Sequence, residues 1–279
     1  MLDGLAPCTM GSNMTRRFRR RQRLGQYRIE KCLAVGGFAE VYRAHDTIEG
    51  IDVALKIPHP HLTDEENMAA FKKEVRMVAK LDHPGILGLK TASLIDGTFV
   101  VVSALADETL ADRMTRRIAR TKVLKIMADL LEALAYAHKL RVVHCDVKPE
   151  NILLFPGQKV RLADFGLAKL ALRTIDASGS GTIGYIAPEQ AHGRPSLRSD
   201  VFSAGVLLWR LLGGAQPEWP FHWPHQGYEK VQRNWSEEMV EIVRRATQVD
   251  EEKRYRDAGA MLRALNRAAP DAIRSRRRL

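Results

Sequence analysis

HCDVKPEN, residues 144–151, lies just past the middle of a 279-residue chain and sets an acid (Asp146), a base (Lys148) and a carboxamide (Asn151) within six residues. Pro149 stops helix growth inside it, which predicts an irregular loop. Upstream, Val123, Leu124, Met127, Leu130, Leu131 and Leu134 recur at helical spacing and predict a long, deeply packed helix over 123–138. Downstream, the apolar runs 152–155 and 160–163 predict two short strands, the second ending at Asp164-Phe165-Gly166. A polar loop pinned between regular elements is where reactive side chains tend to sit.

Farther out on the N-terminal side, 27–35 alternates as a strand does, and LAVGGFAEVYRA (33–44) reads as a hairpin turning at Gly36-Gly37. Glycines at such a turn let backbone amides approach phosphate oxygens closely, although surface hairpins with paired glycines are also common. VALKI (53–57) is a strand carrying one lysine, Lys56, whose plainer reading is an outward-facing residue on a half-buried strand. Thr63 and Glu66 form a capping box opening a helix in which Phe71, Val75 and Val78 share one face. Glu74 lies beside that face; the alternative is one more surface carboxylate. Residues 99–102 form a buried strand that runs into 103–105 without turn-forming residues. On the C-terminal side, 166–188 is loop-like, and helices are expected over 201–212, 237–246 and 258–265. A Pro- and Trp-rich connection, QPEWPFHWPHQG (216–227), separates the first two of these, and there are no internal repeats.

Composition excludes several classes. The net charge of +11 belongs to the ends: six arginines lie within 16–23 and four within 274–278, whereas residues 24–269 carry 34 basic and 31 acidic side chains. Such blocks repel themselves and usually stay solvated; the alternative is contact with acidic partners, a membrane surface or nucleic acid. Three cysteines (Cys8, Cys32, Cys145) form no CxxC pair, which excludes a disulfide framework and fits a reducing compartment. No apolar run is long enough to span a bilayer and the N-terminus has no signal-peptide core, so a cytoplasmic protein is expected. Met10 and Met14 leave the start of translation open.

In order, then, the chain presents a Gly-rich hairpin, VALK, a glutamate 18 residues after the lysine, H-x-D-x-x-x-x-N, DFG and APE (187–189). Together this resembles the eukaryotic-like protein kinase family over about 26–265. The KPEN form looks like a serine/threonine rather than a tyrosine kinase, and GGFAEVYRA, GTIGYIAPEQ and SDVFSAGVLL are closest to bacterial-type serine/threonine kinases. The resemblance implies an α+β, bilobal protein kinase fold: a small antiparallel β-rich N-lobe with one long helix, and a larger, mainly helical C-lobe. The expected divisions are a basic, disordered leader at 1–23, the N-lobe at 24–105, the C-lobe at 106–266 and a basic tail at 267–279. The implied activity is transfer of the ATP γ-phosphate to a Ser/Thr hydroxyl of a protein; the alternative is a pseudokinase scaffold that binds nucleotide and partners with little catalysis.

Residue by residue, the resemblance gives Asp146 the substrate hydroxyl and its proton, and Lys148 the transferring phosphoryl group. Lys56 contacts the ATP phosphates, held by Glu74, with Gly36 and Gly37 in the phosphate-binding hairpin. Asn151 and Asp164 hold Mg²⁺, with Mn²⁺ as a substitute. Leu33, Val41, Ala54 and Leu153 enclose adenine, Val102 is the gatekeeper, and 103–105, with Ser103 and Leu105, match the hinge. Thr182, the Glu189–Arg254 pair and Asp200 are implied scaffold. Autophosphorylation is expected at Thr174, Ser178 or Ser180.

Two departures stand out. Ala34 and Ala39 replace glycines of the Gly-rich loop, and alanine at a positive φ costs on the order of 1 kcal/mol, which predicts a stiffer loop and weaker ATP binding. Cys145 replaces the arginine that in many regulated kinases pairs with a phosphorylated activation loop, leaving Lys169 as the matching base. Activity is therefore expected not to depend strictly on that phosphorylation.

Overall fold

The computed structural model describes residues 17–62, 65–165 and 183–274, with backbone alone at 61, 65–67, 70, 74, 183, 271, 273 and 274. The capping box at Thr63 and Glu66 lies outside what is described. The chain divides into two compact units, Met1–Ala79 with Gly88–Leu105 and Lys80–Leu87 with Ala106–Leu279.

In the first unit, β1 (Arg23–Leu24), β2 (Tyr27–Val35), β3 (Ala39–Asp46), β4 (Ile51–Pro58), β5 (Leu89–Ile95) and β6 (Thr98–Ala104) form one sheet in the order β1-β2-β3-β4-β6-β5. Every pairing is antiparallel. Alternation along β4 explains its placement: Val53, Leu55 and Ile57 are buried, and Ala54 and Lys56 lie between them on the other face. Tyr27, Ile29, Tyr42, Ala44, Val100 and Val102 join that core, each fully buried aliphatic or aromatic side chain contributing about 1.5–3 kcal/mol. Helix α1 (Glu65–Val78) brings buried Phe71 edge-on to Phe99, centroids 5.9 Å apart. Phe99 lies two residues before Val101, the cross-strand partner of Lys56. Period-2 alternation therefore puts α1 on the sheet face that carries Lys56.

The second unit contains β7 (Glu108–Thr109), α2 (Leu110–Met114), α3 (Arg120–Lys139), β8 (Ile152–Phe155), β9 (Lys159–Leu162), α4 (Pro188–Ala191), α5 (Leu197–Leu211), α6 (Tyr228–Asn234), α7 (Glu237–Ala246) and α8 (Ala258–Arg274). A small antiparallel sheet, β7-β8-β9, flanks the loop at 144–151. Leu87 N–H donates to Leu162 O (2.9 Å) and Leu162 N–H to Gly85 O (2.8 Å), tying 85–87 to β9. All of residues 199–209 in α5 are buried, so this helix is the spine of the unit. No helix among the described residues is long and apolar enough to cross a membrane.

Two expected boundaries are corrected. Residues 17–23 are not all leader: Phe18 is in the sheet core, edge-on to Tyr42 at 5.7 Å, and the Arg17 guanidinium donates to Thr98 Oγ1 at 2.9 Å. At the other end α8 runs on to Arg274 through Pro270, because Ala264, Ala268 and Ala272 continue a buried stripe at i+4 spacing.

Candidate active site

The loop between α3 and β8 is built outward from buried polar groups. Asp200, near the start of α5 and fully buried, accepts from the backbone N–H of His144 (Oδ2, 2.8 Å) and of Cys145 (Oδ1, 2.8 Å). His138 Nε2 donates to the same Oδ2 at 2.8 Å while its Nδ1 accepts from Ala258 N–H at 3.1 Å, so the tautomer is fixed and α8 is tied to the same anchor. His144 is fixed likewise. Its Nδ1 accepts from Asp146 N–H (3.1 Å), so Nε2 carries the proton and donates to Ala163 O (2.8 Å). Phe165 packs on the His144 ring with centroids 4.5 Å apart.

Pro149 opens a single 3₁₀ turn, Pro149–Asn151, where its missing N–H costs nothing. That turn carries Asn151 back toward Asp146. Asn151 Nδ2 donates to both the backbone oxygen and Oδ2 of Asp146, each at 2.8 Å, and Lys148 Nζ lies 2.9 Å from the same Oδ2. Asp146, Lys148 and Asn151 are thus brought together, with both side-chain partners on one carboxylate oxygen. The amide group of Asn151 faces Asp146, so its Oδ1 is the atom turned elsewhere. Ala163 N–H donates to Asn151 O at 2.8 Å, which registers the next residue, Asp164, against this loop. Asp164 has φ +64°, a left-handed conformation uncommon for a residue with a Cβ and typical of a constrained site. Leu153, in β8, pairs with Thr109 and Arg161.

The scaffold beneath is a buried ion pair. Arg254 Nη1 and Nη2 bind Glu189 Oε1 and Oε2 at 2.7 and 2.9 Å, and Ser199 Oγ adds a bond to Oε1 at 2.6 Å. The remaining guanidinium donors reach the carbonyls of Gln248, Arg198 and Val249, so all five N–H groups are satisfied. Burial raises the Glu189 pKa, but these bonds outweigh it and hold the carboxyl below its ordinary value.

In the first unit, Lys56 pairs with Val41 on β3 and Val101 on β6, and Ala54 pairs with Ser103. Directly opposed residues share a face, so Val41, Ala54, Lys56 and Ser103 lie together on the side that α1 covers. Glu74 lies one turn beyond Phe71 in that helix, and its side chain is not among those described. Val102 differs: it pairs with Leu55 and is 1% exposed in the opposite core, so the sheet does not bring it to the Lys56 face. Leu33 sits at a register shift between Cys32 and Ala34 and is 39% exposed; Leu105 ends the unit.

The hairpin at Gly36 and Gly37 closes with Gly36 N–H donating to Ala39 O at 2.9 Å. Neither Ala34 nor Ala39 has a positive φ; both sit in extended strand. The strain predicted for them, and the weaker nucleotide binding inferred from it, therefore has no basis in this backbone. His59 holds the tip instead, donating Nε2 to Gly36 O (2.7 Å) and its N–H to Phe38 O (2.9 Å).

Sequence reasoning missed His59, His138 and Gln190. Only His138 left a signal, as a polar residue continuing the apolar face of α3. Thr182, Lys169, Thr174, Ser178 and Ser180 lie outside the described residues.

Residues 27–266 match the family model described as "Protein kinase domain". A probable serine/threonine-protein kinase of Streptomyces coelicolor is 35% identical over 202 residues, 67% of this chain and 30% of that protein. The serine/threonine-protein kinase PrkC of Bacillus subtilis is 33% identical over 201 residues, 69% of this chain and 31% of that protein. The chain thus spans under a third of the length of these relatives. Among solved structures, the PknI kinase domain of Mycobacterium tuberculosis superposes with a TM-score of 0.70 at 24% identity, covering 90% of this chain and 99% of that one. The structure titled PpkA-294 apo form gives 0.76 at 22% identity, covering 89% and 99%. Both likenesses establish the fold.

Proposed function

The chain belongs to the protein kinase domain family, and from that premise we propose that it transfers the γ-phosphate of ATP to a serine or threonine hydroxyl of a protein. The observation that carries the proposal is the convergence of Lys148 Nζ and Asn151 Nδ2 on Oδ2 of Asp146, at 2.9 and 2.8 Å. Among the described residues Oδ1 of Asp146 has no such partner, so it is the oxygen that meets the acceptor hydroxyl. It orients that hydroxyl and takes its proton as the new O–P bond forms. Lys148 stays beside it to offset negative charge spreading over the phosphoryl oxygens.

The donor chemistry fits a hard divalent cation. Asn151 Oδ1 and the Asp164 carboxylate are oxygen ligands of the kind Mg²⁺ takes, and Mn²⁺ accepts the same set. Asn151 and Asp164 would hold such an ion, which would supply neutralisation of phosphate charge. Lys56 is assigned to the α/β-phosphates with Glu74 as its ion-pair partner, and the Gly36 and Gly37 amides to phosphate oxygens. Leu33, Val41, Ala54 and Leu153 are assigned to the faces of adenine, and the backbone at Ser103 and Leu105 to its edge. Val102, on the core face, is assigned to packing. Thr174, Ser178 and Ser180 are proposed acceptors within the chain.

Incubating the purified protein with labelled ATP and Mg²⁺, with and without a generic basic protein, and hydrolysing the products tests this reading. Label on phosphoserine or phosphothreonine is expected. Label only on added small alcohols or aminoglycosides, or none at all with nucleotide still bound, would reject it.

A further inference from the structure

Cys145, the residue before the proposed base, has φ +66°. For a residue with a Cβ this costs on the order of 1–2 kcal/mol and persists only where the surroundings over-determine it. Two side chains do so. Asp200 takes the Cys145 N–H, and Gln190 Nε2 donates to the Cys145 carbonyl at 2.6 Å. Asp200 was expected from the sequence to support this loop; Gln190 was not.

We propose that Gln190 is a positioning residue of the catalytic loop, fixing the Cys145 carbonyl so that the next residue, Asp146, presents its carboxylate to the acceptor hydroxyl. The inference rests on the phosphotransfer reading above. Gln190 is 3% exposed, and its Oε1 is buried with no partner among the described residues. An apolar side chain of similar length would avoid leaving that acceptor unmade, so the donor to Cys145 is what the glutamine contributes. Its backbone is anchored as well: Glu189, the preceding residue, is gripped by Arg254 and Ser199. Rigidity thus passes from the buried ion pair through Gln190 to Cys145 and on to Asp146, using contacts within one unit. Where Cys145 provides no guanidinium to bind a phosphate, this bond is a permanent hold on the same residue.

The test uses Gln190→Glu and Gln190→Met in the full chain, each checked for folding by thermal melting. Near pH 8 both should lose about 10- to 100-fold in kcat, the scale on which small misplacements of a reacting group act, with KM for ATP changed less than about threefold. The charged and titratable groups around the Cys145 carbonyl are Asp200 with His138 on its second oxygen, His144, and Asp146 with Lys148. Burial and the two aspartates raise the pKa of the carboxyl introduced by Gln190→Glu, and once protonated it can donate where the amide did. Activity of Gln190→Glu relative to wild type should therefore recover between about pH 8 and about pH 6, whereas Gln190→Met stays flat. Wild-type kcat in either folded variant, or a flat ratio for Gln190→Glu, overturns the inference. If the wild-type protein transfers no phosphate, the phosphotransfer reading fails first and the inference fails with it.

Discussion

Arg254 is a residue whose role the sequence offered only by resemblance and whose structure accounts for it physically. It is 2% exposed yet every donor is used, two of them on Glu189. Removing one partner of such a pair strands a buried charge, and Arg254→Met should lose about 3–5 kcal/mol in urea unfolding. The pH dependence follows from the partner. Glu189 binds a proton less readily folded than unfolded, so its contribution is complete above the ordinary value of 4.5 and fades as pH falls through it toward the lower folded value. Glu189→Gln should therefore flatten that acid limb, read as the urea midpoint at successive pH values, and an unchanged limb would contradict it. At this scale legibility was uneven. That Asp146, Lys148 and Asn151 share one loop was readable from their spacing, and their side chains meet there. The face that Val102 takes was not readable, because a run of apolar residues buried on both faces hides its strand register.

Elements were legible where their period was clean. β2, β8 and α7 occupy the residues that alternation, a short apolar run and an expected helix indicated. β5 escaped because its side chains do not alternate in burial, and it lies at the sheet edge. α8 was read short because alanines leave a faint apolar stripe and Pro270 reads as a stop. The N-terminal arm was misread for a compositional reason: six arginines mask one phenylalanine. Phe18 stacks edge-on against Tyr42, and its backbone N–H bonds the Tyr42 hydroxyl at 3.2 Å. Phe18→Ala should cost about 3–5 kcal/mol, the range for emptying an aromatic core site. A melting temperature equal to wild type would return residues 17–23 to the leader.

For the whole molecule, family and fold were readable because the motifs stand in one order over most of the chain, and the family match over 27–266 agrees. What the sequence could not convey was how the loop is held. His138, Gln190 and the Asp200 carboxylate act through contacts 45 to 120 residues apart, which no local pattern records. Asp146 is proposed to act on the acceptor hydroxyl and not on nucleotide affinity. The direct measurement compares wild type with Asp146→Asn in single-turnover phosphate transfer and in nucleotide titration on the same preparations. Transfer should fall by about 10²- to 10⁴-fold while the nucleotide Kd moves less than about threefold. Equal transfer rates in the two proteins would contradict the account.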